Sequence, residues 1–291
     1  MKKLLSLLLA VLIPVFSMTA CSTEAPPFEI LEIGGYHYRS GANHSDDIRL
    51  KTSRIKERNP IPNKKIECNG TQYELPYNET RIGYTYHDSS DGYRMQTANK
   101  LVEIEINRDT GRIDFYSWFD KDHFNAATSD ELSREECLAA AREYLGTYIE
   151  DNMAYDLINE RYSTSDFGHY IFYFMRKVEG VETCDWAAIG ITTQGIIYIH
   201  SFFSLGEMRD AVLPPQETMD AIRAGLDERL DEIYAPVKDK YTVSYELNKE
   251  EFIRLADGSY ALDYYFDIHG APKNSEQSPW VEGTHLLVRL N

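Results

Sequence analysis

One bounded stretch, Ser133 to Phe203, most constrains the fold. It carries one amphipathic helix, then only strand signals, closed by a hairpin at Thr192-Thr193-Gln194-Gly195. Ser133 and Glu136 have capping-box spacing: the hydroxyl accepts from an orphan amide and the carboxylate reaches back to another. Glu135 and Glu136 sit in the first turn, where the helix dipole favours negative charge. Cys137, Leu138, Ala141, Tyr144, Leu145 and Tyr148 fall at helical spacing and form one stripe for burial. The pattern predicts a helix to about Ile149, with Gly146 either ending it early or tolerated inside at about 1 kcal/mol. Strands are expected at Tyr155 to Ser163, Tyr170 to Met175, Trp186 to Ile191 and Ile196 to Phe203, all dense in β-formers. A helix on an antiparallel meander is a stable two-layer arrangement, because each covers the other's apolar face.

Pieces of this pattern recur. Leu101 to Ile106 alternates, turns at Asn107 to Gly111 and returns through Ile113, Phe115 and Tyr116. Its turn glycine, Gly111, lies 84 residues before Gly195, and the two helix starts, Ser133 and Pro215, lie 82 apart. Two landmarks at nearly one spacing point to duplication. The second helix is expected from Pro215 to Tyr234, with Met219, Ile222, Leu226, Leu230 and Ile233 as its stripe and Pro236 as its stop. Strands are expected at 241–247, 252–255, 260–268 and 285–290, with 270–283 as a loop holding an isolated Trp280. Upstream, Asn69-Gly70 between two β-rich triplets predicts a hairpin. Ile82 to Tyr86 and Tyr93 to Thr97 flank a polar turn at Asp88 to Gly92, and Asp120 to His123 reads as a solvated loop.

A helix opening with Ser-x-x-Glu, three strands and a final Gly-turn hairpin resemble the PepSY domain of bacterial surface lipoproteins. Arg176-Lys177-Val178-Glu179-Gly180-Val181 is similar to that family's junction before its last hairpin. The likeness covers Ser133 to Phe203 and, loosely, the flanks. It brings no catalytic residues and implies an extracytoplasmic binding or peptidase-regulating module. The expected fold is α+β, with tandem helix-on-antiparallel-sheet units. Residues 1–20 form a leader, 21–64 a tether and irregular segment, and 65–130 a β-rich partial unit. Residues 131–206 form one PepSY-like unit and 207–291 a second, truncated one.

The leader has Lys2 and Lys3 before an apolar core, Leu4 to Phe16, too short to span a bilayer. Ala20 directly before Cys21 resembles a lipobox, so Cys21 is the expected lipidation site and the membrane the expected contact, made through the lipid alone. Without the leader lysines the chain has 28 basic and 47 acidic residues, a net of −19. Such acidity argues against nucleic acid and against attraction to anionic lipid. Lys51, Arg54, Lys56, Arg58, Lys64 and Lys65 form the one basic patch, read as a solvated loop.

After Cys21 three cysteines remain, Cys68, Cys137 and Cys184, so at least one is unpaired. Cys137, on the stripe, is expected to be a buried free thiol. No hydrolase elbow, zinc-protease helix, phosphate loop or dinucleotide fingerprint occurs, and no cofactor or metal is expected. Strand-face acid pairs such as Glu103 and Glu105 leave a glycan-active enzyme as the alternative to a non-catalytic binder of peptide or protein. Trp118 and Trp280 are the candidates for stacking on a ligand, with Trp186 assigned to the core.

Overall fold

The computed structural model describes residues 28–32, 36–37, 42–43, 53–56, 61–82, 89–126, 131–164, 168–255 and 257–290. The expected leader and the expected lipidation site Cys21 lie outside them, as do Lys51 and Arg58 of the basic stretch and the residues 83–88, whereas Arg54, Lys64 and Lys65, expected in a solvated loop, lie in strands. The strands begin with β1 (Phe28–Glu32), β2 (Tyr36–His37), β3 (Ala42–Asn43) and β4 (Ser53–Ile55). A hairpin follows, β5 (Lys64–Cys68) and β6 (Thr71–Leu75), and then a meander of β7 (Tyr77–Ile82), β8 (Ser90–Gln96), β9 (Lys100–Asn107) and β10 (Ile113–Asp120). Helices α1 (Lys121–Ala126) and α2 (Arg134–Gly146) lead into β11 (Tyr155–Ser163), β12 (His169–Val178), β13 (Val181–Thr192) and β14 (Ile197–Phe203). Helix α3 (Gln216–Tyr234) precedes β15 (Tyr241–Arg254), β16 (Tyr260–Pro272) and β17 (Trp280–Leu290).

The fold is mixed α+β, dominated by one large sheet. Among the described residues this sheet holds 13 strands, in the order β1-β17-β16-β15-β13-β14-β10-β9-β8-β7-β4, with β12 and β11 on the other side of β13. Strand β13 is the branch point. Its first residues pair in parallel with β15 (Glu182 with Glu251, Thr183 with Phe252), and its later ones pair antiparallel with β14.

Among the described residues three apolar clusters lie along the sheet. Helix α2 covers β12 and β13 through Cys137, Ala141 and Leu145, all with 0% exposure. Its capping box is present: Ser133 N–H donates to Glu136 at 2.8 Å and the hydroxyl accepts from Glu136 N–H at 3.3 Å. The helix stops at Gly146, short of the expected Ile149, with Thr147 as cap. Helix α3 covers β15 to β17 with its whole expected stripe buried. Over β8 to β10 the cover is instead the β5–β6 hairpin with Phe124 of α1, enclosing Trp118 and Ile104.

Several expectations change. The segment 21–64 is more than a tether: β1 pairs along all five residues with β17 and packs on the α3 core through Phe28 and Ile30. Residues 241–247 and 252–255 form one strand with a bulge between Leu247 and Lys249, because Glu250 and Glu251 pair with Tyr264 and Asp263 across the ladder. Ser90 to Gly92 belong to β8, not to a turn, since β9 pairs with them. Lys121–Ala126 is a short helix where a loop was expected.

The supposed loop 270–283 shrinks at both ends, because β16 runs through Pro272 and β17 starts at Trp280. Trp280 is 8% exposed, against Tyr234 and Tyr241, and its indole lies over Gly270, its cross-strand partner. A Cβ at Gly270 would stand 2.1 Å from the indole, so glycine is what lets the ring lie flat. Trp118 is 1% exposed and donates to the Tyr73 hydroxyl at 3.1 Å. Both expected stacking candidates are therefore core side chains with no face for a ligand. Trp186, assigned to the core, is partly buried and stacks on Phe203.

Candidate functional site

A cavity of about 340 Å³ lies where the β5–β6 hairpin, α2 and the β10–β14 seam meet. That is within the size range of small-ligand sites. Each element delivers side chains for a local reason. Asn69 and Gly70 have φ of 49° and 76°, the positive values a tight two-residue hairpin needs. The turn places Cys68 at the cavity wall, with Glu67 and Asn69 exposed beside it. Tyr144 lies in the last turn of α2 and Tyr148 in the turn just beyond its Thr147 cap, and their rings meet edge to face, with centroids 5.3 Å apart. Tyr116 on β10 and His200 on β14 are direct cross-strand partners.

The polar groups form a connected set. His200, 1% exposed, has Nε2 3.0 Å from the Ile113 carbonyl, which only accepts, so Nε2 carries the proton. The neutral ring's Nδ1 then accepts from the Tyr144 hydroxyl at 2.8 Å, and the Tyr148 hydroxyl lies 3.1 Å from that of Tyr144. Burial pushes the His200 imidazole down to about 4, helped by Arg112 and opposed by the Ile113 carbonyl. Burial also raises the thiol of Cys68 and, strongly, the phenols of Tyr116 and Tyr144. Near neutral pH the histidine of this wall is therefore uncharged, and the Cys68 thiol and the Tyr116 and Tyr144 phenols keep their protons; Glu67 is its one acidic residue.

A second, smaller cavity of about 180 Å³ lies against β9 and β10 and is lined by Glu105, Asp114 and Glu207 with Arg81 and Arg112. Arg81 pairs with Glu105 at 2.8 Å; Arg112 pairs with Asp114 and donates to the Leu205 carbonyl at 2.8 Å. Burial raises the Glu105 carboxyl, with Arg81 opposing. Glu103, its expected partner in an acid pair, faces Arg94 at 3.9 Å.

Asp185, the most buried acid among the described residues, is structural. It accepts from the Tyr155 hydroxyl, from Arg176 at 3.3 Å and from the Gly206 amide at 2.9 Å, pinning the link between β14 and α3. Cys68, Cys137 and Cys184 are all free and buried, as expected for Cys137. Among the described residues no group of three His, Cys, Asp or Glu is placed to hold a metal, and no helix is long and apolar enough to cross a membrane.

The residues of the larger cavity were not singled out by the sequence. By their spacing Tyr144 and Tyr148 read as part of the stripe, and His200 looks like any strand histidine. The available signal was a tyrosine pair four apart spanning the end of a helix, before an aromatic-rich strand.

No curated protein matches this chain. Among solved structures, the Bacillus megaterium YpeB C-terminal domain is similar at 12% identity, with a TM-score of 0.34 over 81% of this chain and 90% of that one. Residues 64–191, from β5 almost to the end of β13 and so including the cavity's hairpin and helix, match the family model described as the YcdB, YcdC repeated domain.

Proposed function

We propose that this protein is a non-catalytic, extracytoplasmic lipoprotein, anchored through Cys21 at the outer face of the cytoplasmic membrane, that binds a peptide or protein partner. The observation that carries the reading is the larger cavity, whose lining holds three tyrosines and a buried histidine kept uncharged. Catalysis by such groups needs an activated nucleophile or a base poised near neutral pH, and this wall supplies neither. Aromatic walls with a few fixed hydrogen-bonding groups suit recognition. If the bound segment belongs to a peptidase, the module restrains that enzyme, the role implied by the PepSY resemblance.

Titrating the soluble protein with blocked Gly-X-Gly tripeptides by calorimetry tests the binding. Saturable heat with at least one member, weakened in Tyr148→Ala, is expected; no heat, or unchanged heat in the variant, refutes it. For the anchor, Cys21→Ala is expected to leave the membrane fraction, and retention there after a high-salt wash refutes lipidation.

We further propose that 131–206 and 207–291 are PepSY-like duplicates. In support, α2 is followed by an antiparallel β11-β12-β13-β14 meander and α3 by β15-β16-β17, with β1 lying antiparallel beside β17 where a fourth strand would stand. The second reading, a glycan-active enzyme, has one observation in its favour: three carboxylates converge on the smaller cavity and burial raises Glu105. Hydrolysis of cell-wall glycan that disappears in Glu105→Gln would establish it.

A further inference from the structure

The charge around the larger cavity says more about its ligand, on the reading that this cavity is the binding site. Its lining includes no Lys or Arg, and His200 is uncharged near neutral pH. Arg112 lies near enough to lower His200, but it is tied to Asp114 and to the Leu205 carbonyl and does not line the space. The one acidic residue of the lining is Glu67, exposed on the hairpin. Three tyrosines, Tyr116, Tyr144 and Tyr148, contribute wall. The chain as a whole carries a net charge of −17.

Aromatic rings attract cations through the negative potential of their π-faces, most effectively where water is excluded. An acidic protein concentrates cations at its surface before they bind. An anion in this cavity would meet Glu67 and three electron-rich rings with no compensating donor of positive charge. We propose that the cavity takes an alkylammonium group, either in a small organic cation or at the end of a lysine side chain. Glu67 then neutralises the charge at the mouth, and the tyrosines enclose the methylene or methyl surface.

The test is calorimetric titration of the whole soluble protein with two matched pairs. Choline is set against its neutral carbon isostere 3,3-dimethylbutanol, and blocked Gly-Lys-Gly against blocked Gly-norleucine-Gly. The expected result is that at least one cation binds about ten-fold tighter than its neutral partner. Glu67→Gln, at an exposed position, should weaken that cation and leave the neutral partner unchanged, and Tyr148→Leu should weaken it further. Whichever arm binds identifies the source of the ammonium group. If a neutral partner binds as tightly as its cation, the proposal falls while the cavity remains a binding site. If none of the four binds and no other tripeptide does, both fall.

Discussion

His200 should make the stability of this protein depend on pH in a specific window. Its imidazole is neutral in the fold and is held down to about 4, against 6.5 when exposed. Above 6.5 neither state binds the proton and the histidine is neutral to stability. As pH falls from 6.5 towards 4, only the unfolded chain takes up the proton, so stability is lost through that window and the loss is complete below it. At about 1.4 kcal/mol per unit the total is about 3 kcal/mol, a large share of an ordinary folding free energy. Buried Asp185 and Glu105, whose carboxyls are raised, act in the opposite direction, so the wild-type curve alone does not isolate the term. The comparison is with His200→Gln, whose amide can still donate to the Ile113 carbonyl but does not titrate. Urea unfolding between pH 7 and 4 should give a wild-type curve that falls more steeply than the variant's, by about 1 kcal/mol per pH unit at most. Parallel curves would refute the assignment of a buried neutral imidazole.

Three further outcomes are expected. Gly270→Ala places a methyl against the Trp280 indole and should lower stability by about 1–3 kcal/mol; the smaller Trp280→Leu in the same chain should recover part of it, which urea unfolding of the three variants checks. Cys137 and Cys184 should resist a thiol reagent in the native protein and react on unfolding, with burial holding Cys184 up to about 12; rapid native labelling counts against this packing. Leu145→Ala empties a site with 0% exposure and should cost about 2–5 kcal/mol. Because β13 joins the α2 and α3 halves through β15, it should lower the melting of both together; separate transitions would refute one cooperative unit.

What the sequence settled by itself was local. A capping box, a periodic stripe and an Asn-Gly turn are interactions among residues a few positions apart, so α2, α3, the β5–β6 hairpin and the strand Tyr155–Ser163 could be placed from the chain alone. Strand limits were harder where polarity hid the pairing: Glu250 and Glu251 look like a break until β16 pairs with them. Trp280 looked exposed for a similar reason, since its burial depends on Gly270, ten residues earlier but directly opposite. The capture of β1 by β17 joins residues more than 250 positions apart, and no local pattern encodes it. The cavity is likewise a tertiary product. Tyr116, Tyr144, Cys68 and His200 belong to four elements and Tyr148 to the turn after α2, and each is ordinary where it stands. Only their convergence excludes enough water to hold the His200 imidazole well below its ordinary value, because the penalty for a buried charge depends on what surrounds it in space and not on its neighbours in sequence.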